Sequence, residues 1–287
     1  MRPVAIVTDS THYTPPELIA AAAVHEVSLY VRDGGQARRE REISDYDAFY
    51  AQLRAGGELP STSQPSIGDF LAVYEPLLDA GHDIVSIHLA GGISGTVGAA
   101  GQAKALLDER RGDGRIAVID SETACGGLGM VVLAAAGAAR GGAGIDDVLA
   151  RAREARSALA IWFCIDTLEY LQRGGRVGRA QAWLGGALRI KPILSLEAEI
   201  TPVERVRTSA RAFERLVDYM EMRRADGADG WVIQHIQAPE RAAALVERGR
   251  AVFGCEPAWV SEVGPVIGTY TGPGLLGVGG IPARLFG

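Results

Sequence analysis

Residues 59–66 read LPSTSQPS, which sets the hydroxyls of Ser61, Thr62 and Ser63 and the amide of Gln64 between two prolines, with a fourth hydroxyl, Ser66, just after the second and neither helical nor strand periodicity. Two further stretches share this polar or glycine-rich character: GGISGT at 91–96 and GTYTGPG at 268–274. Each is expected at a strand end, where open α/β sheets place their ligand sites. In GGISGT, Gly91 and Gly92 follow an expected strand, and Ser94 falls where the next helix would start. A serine there caps the helix and does nothing more on the plainest reading. The same geometry also makes an anion pocket: the unpaired N–H groups and positive dipole end around Gly95 stand beside the hydroxyls of Ser94 and Thr96, with no basic residue required.

Nucleophilic chemistry at Ser94 has weaker support. A hydrolase elbow needs G-x-S-x-G, and Gly92-Ile93-Ser94-Gly95-Thr96 lacks the second glycine in its place. An activating base would have to come from His88 or His235 at strand ends, where a lone histidine is more often structural. GPGLLG at 272–277 matches G-x-G-x-x-G formally, but no βαβ unit follows it, and no G-x-x-x-x-G-K-[ST] loop is present. Cys125, Cys164 and Cys255 have no metal-ligand spacing and read as small buried apolar residues of a reducing cytoplasm. The turn Arg173-Gly174-Gly175-Arg176, after an apolar helix, reads by itself as a glycine-terminated helix followed by a solvated basic turn.

The elements that must position these groups follow from periodicity. Apolar runs at 4–9, 83–90, 115–120 and 160–166 are expected strands, and helical patterns fill 66–80, 95–111, 126–141 and 145–158. Strands alternating with helices make a parallel sheet covered on both faces. From about residue 160 the pattern changes to a Gly/Arg loop with a short helix, paired strands around KPILSLE and EITPVERVR, a long helix, the strand GWVIQHI and another helix. The expected architecture is therefore two packed α/β domains, 1–159 with a three-layer Rossmann-like parallel sheet and 160–287 with a mixed sheet. The chain has 287 residues, 47% apolar, enough for such a core. Its net charge of −6 argues against a general nucleic-acid binder, which needs a basic surface to displace counterions. The N-terminal apolar run before Asp9 is too short for a signal-peptide core and no apolar stretch approaches a membrane span, so the cytosol is the expected location.

Taken together, IVTDST, PSTSQPS, ISGT, VIDSETACGGLG, LEYLQRGGRVG, IKPIL, RVRTSARA and GTYTGPGLLG occur in the order that resembles the DegV family of bacterial fatty-acid-binding proteins, over essentially the whole chain. The resemblance implies a carrier that is not itself an enzyme and uses no metal or other cofactor. It would hold one long-chain fatty acid between its domains, with the carboxylate at a polar end. A separate dihydroxyacetone-kinase-like fatty acid kinase would supply ATP, and the acyl-phosphate would pass to an acyltransferase of phospholipid synthesis. Residue by residue, the resemblance puts Thr62 and Ser63 in the polar loop and Ser94 at the helix start with Gly95 and Thr96. Arg173 and Arg176 fall in the basic turn, Arg173 expected at the ligand and Arg176 at the kinase.

This chain departs from the family pattern at the carboxylate end. Tyr270 stands where relatives usually carry a histidine in G-T-H-T-G-P-G, and HLAGG replaces the usual paired serines before Ser94. Tyr270 can donate a hydrogen bond but stays neutral near pH 7. A stand-alone esterase using Ser94, or a carrier or sensor of another hydrophobic acid, are the alternatives.

Overall fold

The computed structural model describes residues 2–112, 114–184 and 190–286. Residues 185–189, part of the expected loop-and-helix region before KPILSLE, lie outside the described residues. The strands in chain order are β1 Val4–Asp9, β2 His25–Val27, β3 Tyr30–Asp33, β4 Gln36–Arg39, β5 Ser61–Ser63, β6 Asp83–His88 and β7 Ile116–Asp120. They continue with β8 Ala160–Cys164, β9 Lys191–Glu197, β10 Glu199–Val206, β11 Gly230–His235, β12 Trp259–Glu262 and β13 Leu276–Ile281.

β1, β2, β6 and β7 form a four-stranded sheet in the order β2-β1-β6-β7, parallel throughout. The Val/Ile-rich runs of β1 and β6, the two central strands, are what burial on both faces demands. Helices Ile67–Asp79 and Thr96–Arg111 bury Phe70, Tyr74, Ala100, Ala103 and Leu107 against Val7, Ile84 and Ile116. A six-stranded mixed sheet, β10-β9-β8-β13-β11-β12, is built entirely from residues after 159. Helix Cys125–Arg140 packs against β1 and β6 on one side and β11 and β13 on the other. That double burial explains its sequence, CGGLGMVVLAAAGAAR, which is small or apolar almost all round.

Several features differ from the sequence expectation, two strands and two cysteines among them. Ser61–Ser63, read as aperiodic, is an edge strand of a small antiparallel sheet β4-β3-β5, with Thr62 opposite Val31. The glycine-rich Leu276–Ile281, for which no strand was expected, lies inside the six-stranded sheet between β8 and β11. Of the three cysteines expected to be buried, only Cys164 is; Cys125 is half-buried and Cys255 exposed, and all three are free thiols.

Candidate functional site

β1 pairs with β2 on one side and β6 on the other, so the crevice between the carboxyl ends of β1 and β6 is the topological switch point of the parallel sheet. Asp9 closes the bottom of that crevice. Its Oδ2 accepts from the backbone N–H of Leu89 at 2.9 Å and lies 3.1 Å from His88 Nδ1; its Oδ1 accepts from Thr11 N and Oγ1 at 3.1 and 2.6 Å. Burial alone would raise this carboxyl. The His88, Thr11 and Leu89 bonds outweigh it and hold Asp9 below its ordinary value. One buried carboxylate therefore fixes the ends of β1 and β6 together, and with them the start of the GGISGT loop.

Beyond this crevice lies a cavity with about 1070 Å³ of space free of atoms, its open mouth included. Its walls come from the six-stranded sheet, from the loop after β6, from the first turn of helix Cys125–Arg140 and from helix Pro265–Thr271, and are mostly apolar, among them Leu89, Ile93, Phe163, Leu196, Val266 and Leu275. Concave, apolar and with few polar groups is the general form of a small-molecule site.

The polar groups gather at the half-exposed mouth. Thr62 faces inward from β5, and its Oγ1 is 2.7 Å from the hydroxyl of Tyr270 on helix Pro265–Thr271. Ser94 Oγ lies 2.8 Å from Thr96 Oγ1 and accepts from Thr96 N at 3.3 Å. Gly95, rather than Ser94, occupies the cap position of helix Thr96–Arg111 and has no side chain with which to satisfy its first N–H groups. A Cβ at Gly95 would lie 2.6 Å from the Gln64 amide, so only glycine lets that amide approach the helix end. The Arg176 guanidinium sits over the Tyr270 ring, 4.8 Å from its centroid, and donates to the Gly174 carbonyl at 2.7 Å.

The structure thus brings Thr62, Ser94, Gly95 and Tyr270 to one cavity mouth and adds Gln64 and Arg176 to them. Thr96 is buried behind Ser94. Ser63 is not among the lining residues, since adjacent strand residues point to opposite faces. Arg173, expected at the ligand, is exposed, donates to the Gly57 carbonyl at 2.9 Å and pairs with Glu169; Arg176, expected at a partner, is the arginine that lines the cavity. Sequence reasoning missed Cys125, which lines the cavity at φ +55°, and Gln234, which accepts from Gly126 N and donates to Ser261 Oγ at 2.9 Å. Burial raises the Cys125 thiol far above its ordinary value.

The histidines considered as bases are engaged elsewhere. His88 is fully buried, with Asp9 on one ring nitrogen and Ser86 Oγ 2.7 Å from the other, and Tyr74 donates in turn to Ser86. His235 Nδ1 is 3.5 Å from the backbone N–H of Ala238. Among the described residues no group of three or more His, Cys, Asp or Glu side chains is placed to hold a metal ion, and no helix is long and apolar enough to cross a membrane.

Comparison with known proteins gives this geometry a context. The family model described as "Uncharacterised protein, DegV family" matches residues 3–283. The chain is 34% identical to Protein DegV of Bacillus subtilis over 281 residues, covering 96% of this chain and 98% of that one. It is 40% identical over the same length, 96% and 98% of the two chains, to a DegV domain-containing protein of Streptomyces coelicolor. Among solved structures it resembles the fatty-acid-binding DegV family protein of Thermus thermophilus, with a TM-score of 0.88, 33% identity and coverage of 98% and 99%. The fatty-acid-binding DegV of Bacillus subtilis superposes with a TM-score of 0.86, 34% identity and coverage of 98% and 100%. Family model, relatives and fold agree along nearly the whole length: this chain is a member of the DegV family.

Proposed function

We propose that this protein binds one long-chain fatty acid in the cavity between two α/β domains, 1–159 and 160–287, with the carboxylate at the mouth and the tail inside. The observation that carries the reading is the half-exposed Thr62–Tyr270 hydroxyl pair lining a mostly apolar cavity. Either hydroxyl can turn its proton outward, and with Ser94 and the N–H groups at Gly95 they offer a carboxylate several neutral donors. Burial of the tail supplies affinity: at about 0.8 kcal/mol per CH₂, roughly 14 methylenes offer on the order of 11 kcal/mol before ordering and association costs. The fatty-acid binding of the Thermus and Bacillus relatives supports the same reading.

A carboxylate held by hydroxyls keeps more nucleophilic character than one locked in a bidentate ion pair. The site therefore suits presentation of the carboxylate to a separate ATP-dependent kinase, with the acyl-phosphate carried onward to phospholipid synthesis while the cavity shields it from water. The cytosol, where ATP is available, is the matching location. An esterase acting through Ser94 is disfavoured, because that hydroxyl is paired with Thr96 and both ring nitrogens of His88 are occupied.

Titrating the purified protein with cis-parinaric acid, a naturally fluorescent fatty acid, tests the binding step. Saturable binding that Thr62→Ala and Ser94→Ala each weaken supports the assignment; unchanged affinity in both places the carboxylate elsewhere.

A further inference from the structure

Helix Pro265–Thr271 supplies Val266, Ile267, Tyr270 and Thr271 to the cavity wall, yet little in its own sequence holds it together. It has seven residues, and isolated helices of that length are unstable in water. Four of them, Val266, Ile267, Thr269 and Thr271, are β-branched, which lowers helix propensity. Its cap position is Gly264, which has no side chain to accept the first N–H groups.

Those N–H groups are met instead from the other end of the chain. Glu40 is 2% exposed and lies 226 residues away in sequence. Its Oε1 accepts from Val266 N at 2.8 Å and from the Tyr13 hydroxyl at 2.7 Å; the Tyr13 oxygen accepts from Ile267 N at 3.3 Å. Its Oε2 accepts from Ser10 Oγ at 2.5 Å, and Ser10 Oγ accepts from Leu29 N at 3.1 Å, which ties the carboxylate to the segment after β1. The neighbouring carbonyl of Val263 accepts from Tyr50 at 2.6 Å. Gly264 is where this grip requires glycine: a Cβ there would lie 2.6 Å from the Tyr13 ring and 3.0 Å from Glu40 Oε1.

We propose that Glu40 is a positioning residue of the ligand site: from the N-terminal half of the chain it caps helix Pro265–Thr271 and so sets Tyr270 against Thr62. It touches no ligand in this account. The role rests on the fatty-acid reading, since Tyr270 matters to binding only if the cavity mouth receives the carboxylate. An acceptor at the Glu40 Oε1 position is the chemical requirement, and glutamine meets it, with its amide nitrogen turned toward Ser10 Oγ.

The test measures cis-parinaric acid affinity of wild type, Glu40→Ala and Glu40→Gln, together with amide hydrogen exchange at Val266 and Ile267. Expected are binding by wild type, a loss of at least roughly tenfold in Glu40→Ala, recovery to within about threefold in Glu40→Gln, and faster exchange at those two amides in Glu40→Ala alone. Wild-type binding with equal affinity in Glu40→Ala overturns the proposal, as does a Gln variant no better than Ala. If wild type itself binds no fatty acid, the functional reading fails, and unchanged exchange in Glu40→Ala then overturns the capping role separately. Should Glu40→Ala not fold, Tyr13→Phe, which leaves Ile267 N without its acceptor, decides: unaltered affinity and unaltered Ile267 exchange overturn the proposal.

Discussion

Thr62 and Tyr270 are 208 residues apart in sequence, and their hydroxyl oxygens are 2.7 Å apart in the fold. The contact closes an edge strand from the N-terminal half onto a short helix near the C-terminus, in the half-exposed part of the cavity wall.

Tyr270→Phe keeps the ring under Arg176 and removes a donor to the bound carboxylate, so fatty-acid affinity should fall by about 1–3 kcal/mol. Tyr270→His should recover affinity, and more so at lower pH, because an anion beside an imidazole favours its protonated form. Titrations across about pH 5.5 to 8 check both, well below the ordinary phenol range. A neutral Phe variant with a weakened, pH-insensitive His variant would reduce Tyr270 to a wall of the cavity.

The two arginines of the glycine turn should separate. Arg176→Ala removes the cation at the mouth and is expected to weaken fatty-acid binding several-fold, whereas Arg173→Ala removes only an exposed contact to Gly57 and Glu169 and should leave affinity within about twofold. The same fluorescence titration distinguishes them, and equal losses would contradict the placement.

Glu40 should impose a pH dependence on stability. Burial, only partly offset by its bonds to Ser10, Tyr13 and Val266, raises its carboxyl from 4.5 to about 7. The folded chain then holds a proton that the unfolded chain has lost between these values. Its contribution is full below pH 4.5, declines by roughly 3 kcal/mol as pH rises to 7, and is flat above. Tyr13, Tyr46, Tyr50 and Cys125 around it are all raised and stay neutral through that window, and Arg41 beside it is bonded to Glu26. Asp9, held low, acts with the opposite sign and at more acid pH. Urea denaturation of wild type and Glu40→Gln at pH 4.5, 6 and 7.5 measures the difference; parallel curves would place the Glu40 carboxyl near its ordinary value.

Thiol labelling probes the cavity from inside. The thiolate is the reactive form, so half-buried Cys125, its thiol raised by desolvation, should react with iodoacetamide at least roughly tenfold more slowly than exposed Cys255 at pH 8, and more slowly still with fatty acid bound. Peptide mass mapping of the labelled sites reads this directly, and ligand-independent labelling of Cys125 would argue that the tail does not reach it.

Much of this fold was legible because burial on two faces writes continuous apolar runs: 4–9, 83–90 and 115–120 fall on β1, β6 and β7 within two residues. β13 escaped because LGVGGI is half glycine, and glycine is needed where Ile161 and Met130 press on Gly279, at 2.7 and 3.2 Å from a Cβ there. Helix Pro265–Thr271 escaped because tertiary contacts override its β-branched sequence. Thr62, Ser94 and Tyr270 were visible as chemistry in loops, but their convergence depends on pairings more than 200 residues long. Glu40 was invisible: inside ARREREISD it reads as one charge of a solvated run, and only the fold shows that this glutamate turns inward.

The central claim is that the cavity holds a long-chain fatty acid, and the most direct measurement is to denature the purified protein and identify by mass spectrometry what it releases. The account predicts a fatty acid at about one per chain from wild type, with roughly 14 or more methylenes to fill the apolar walls, and a reduced yield from a Thr62→Ala, Tyr270→Phe double variant. Release of a hydrophobic acid of another class, or equal fatty-acid yields from wild type and the double variant, would contradict it.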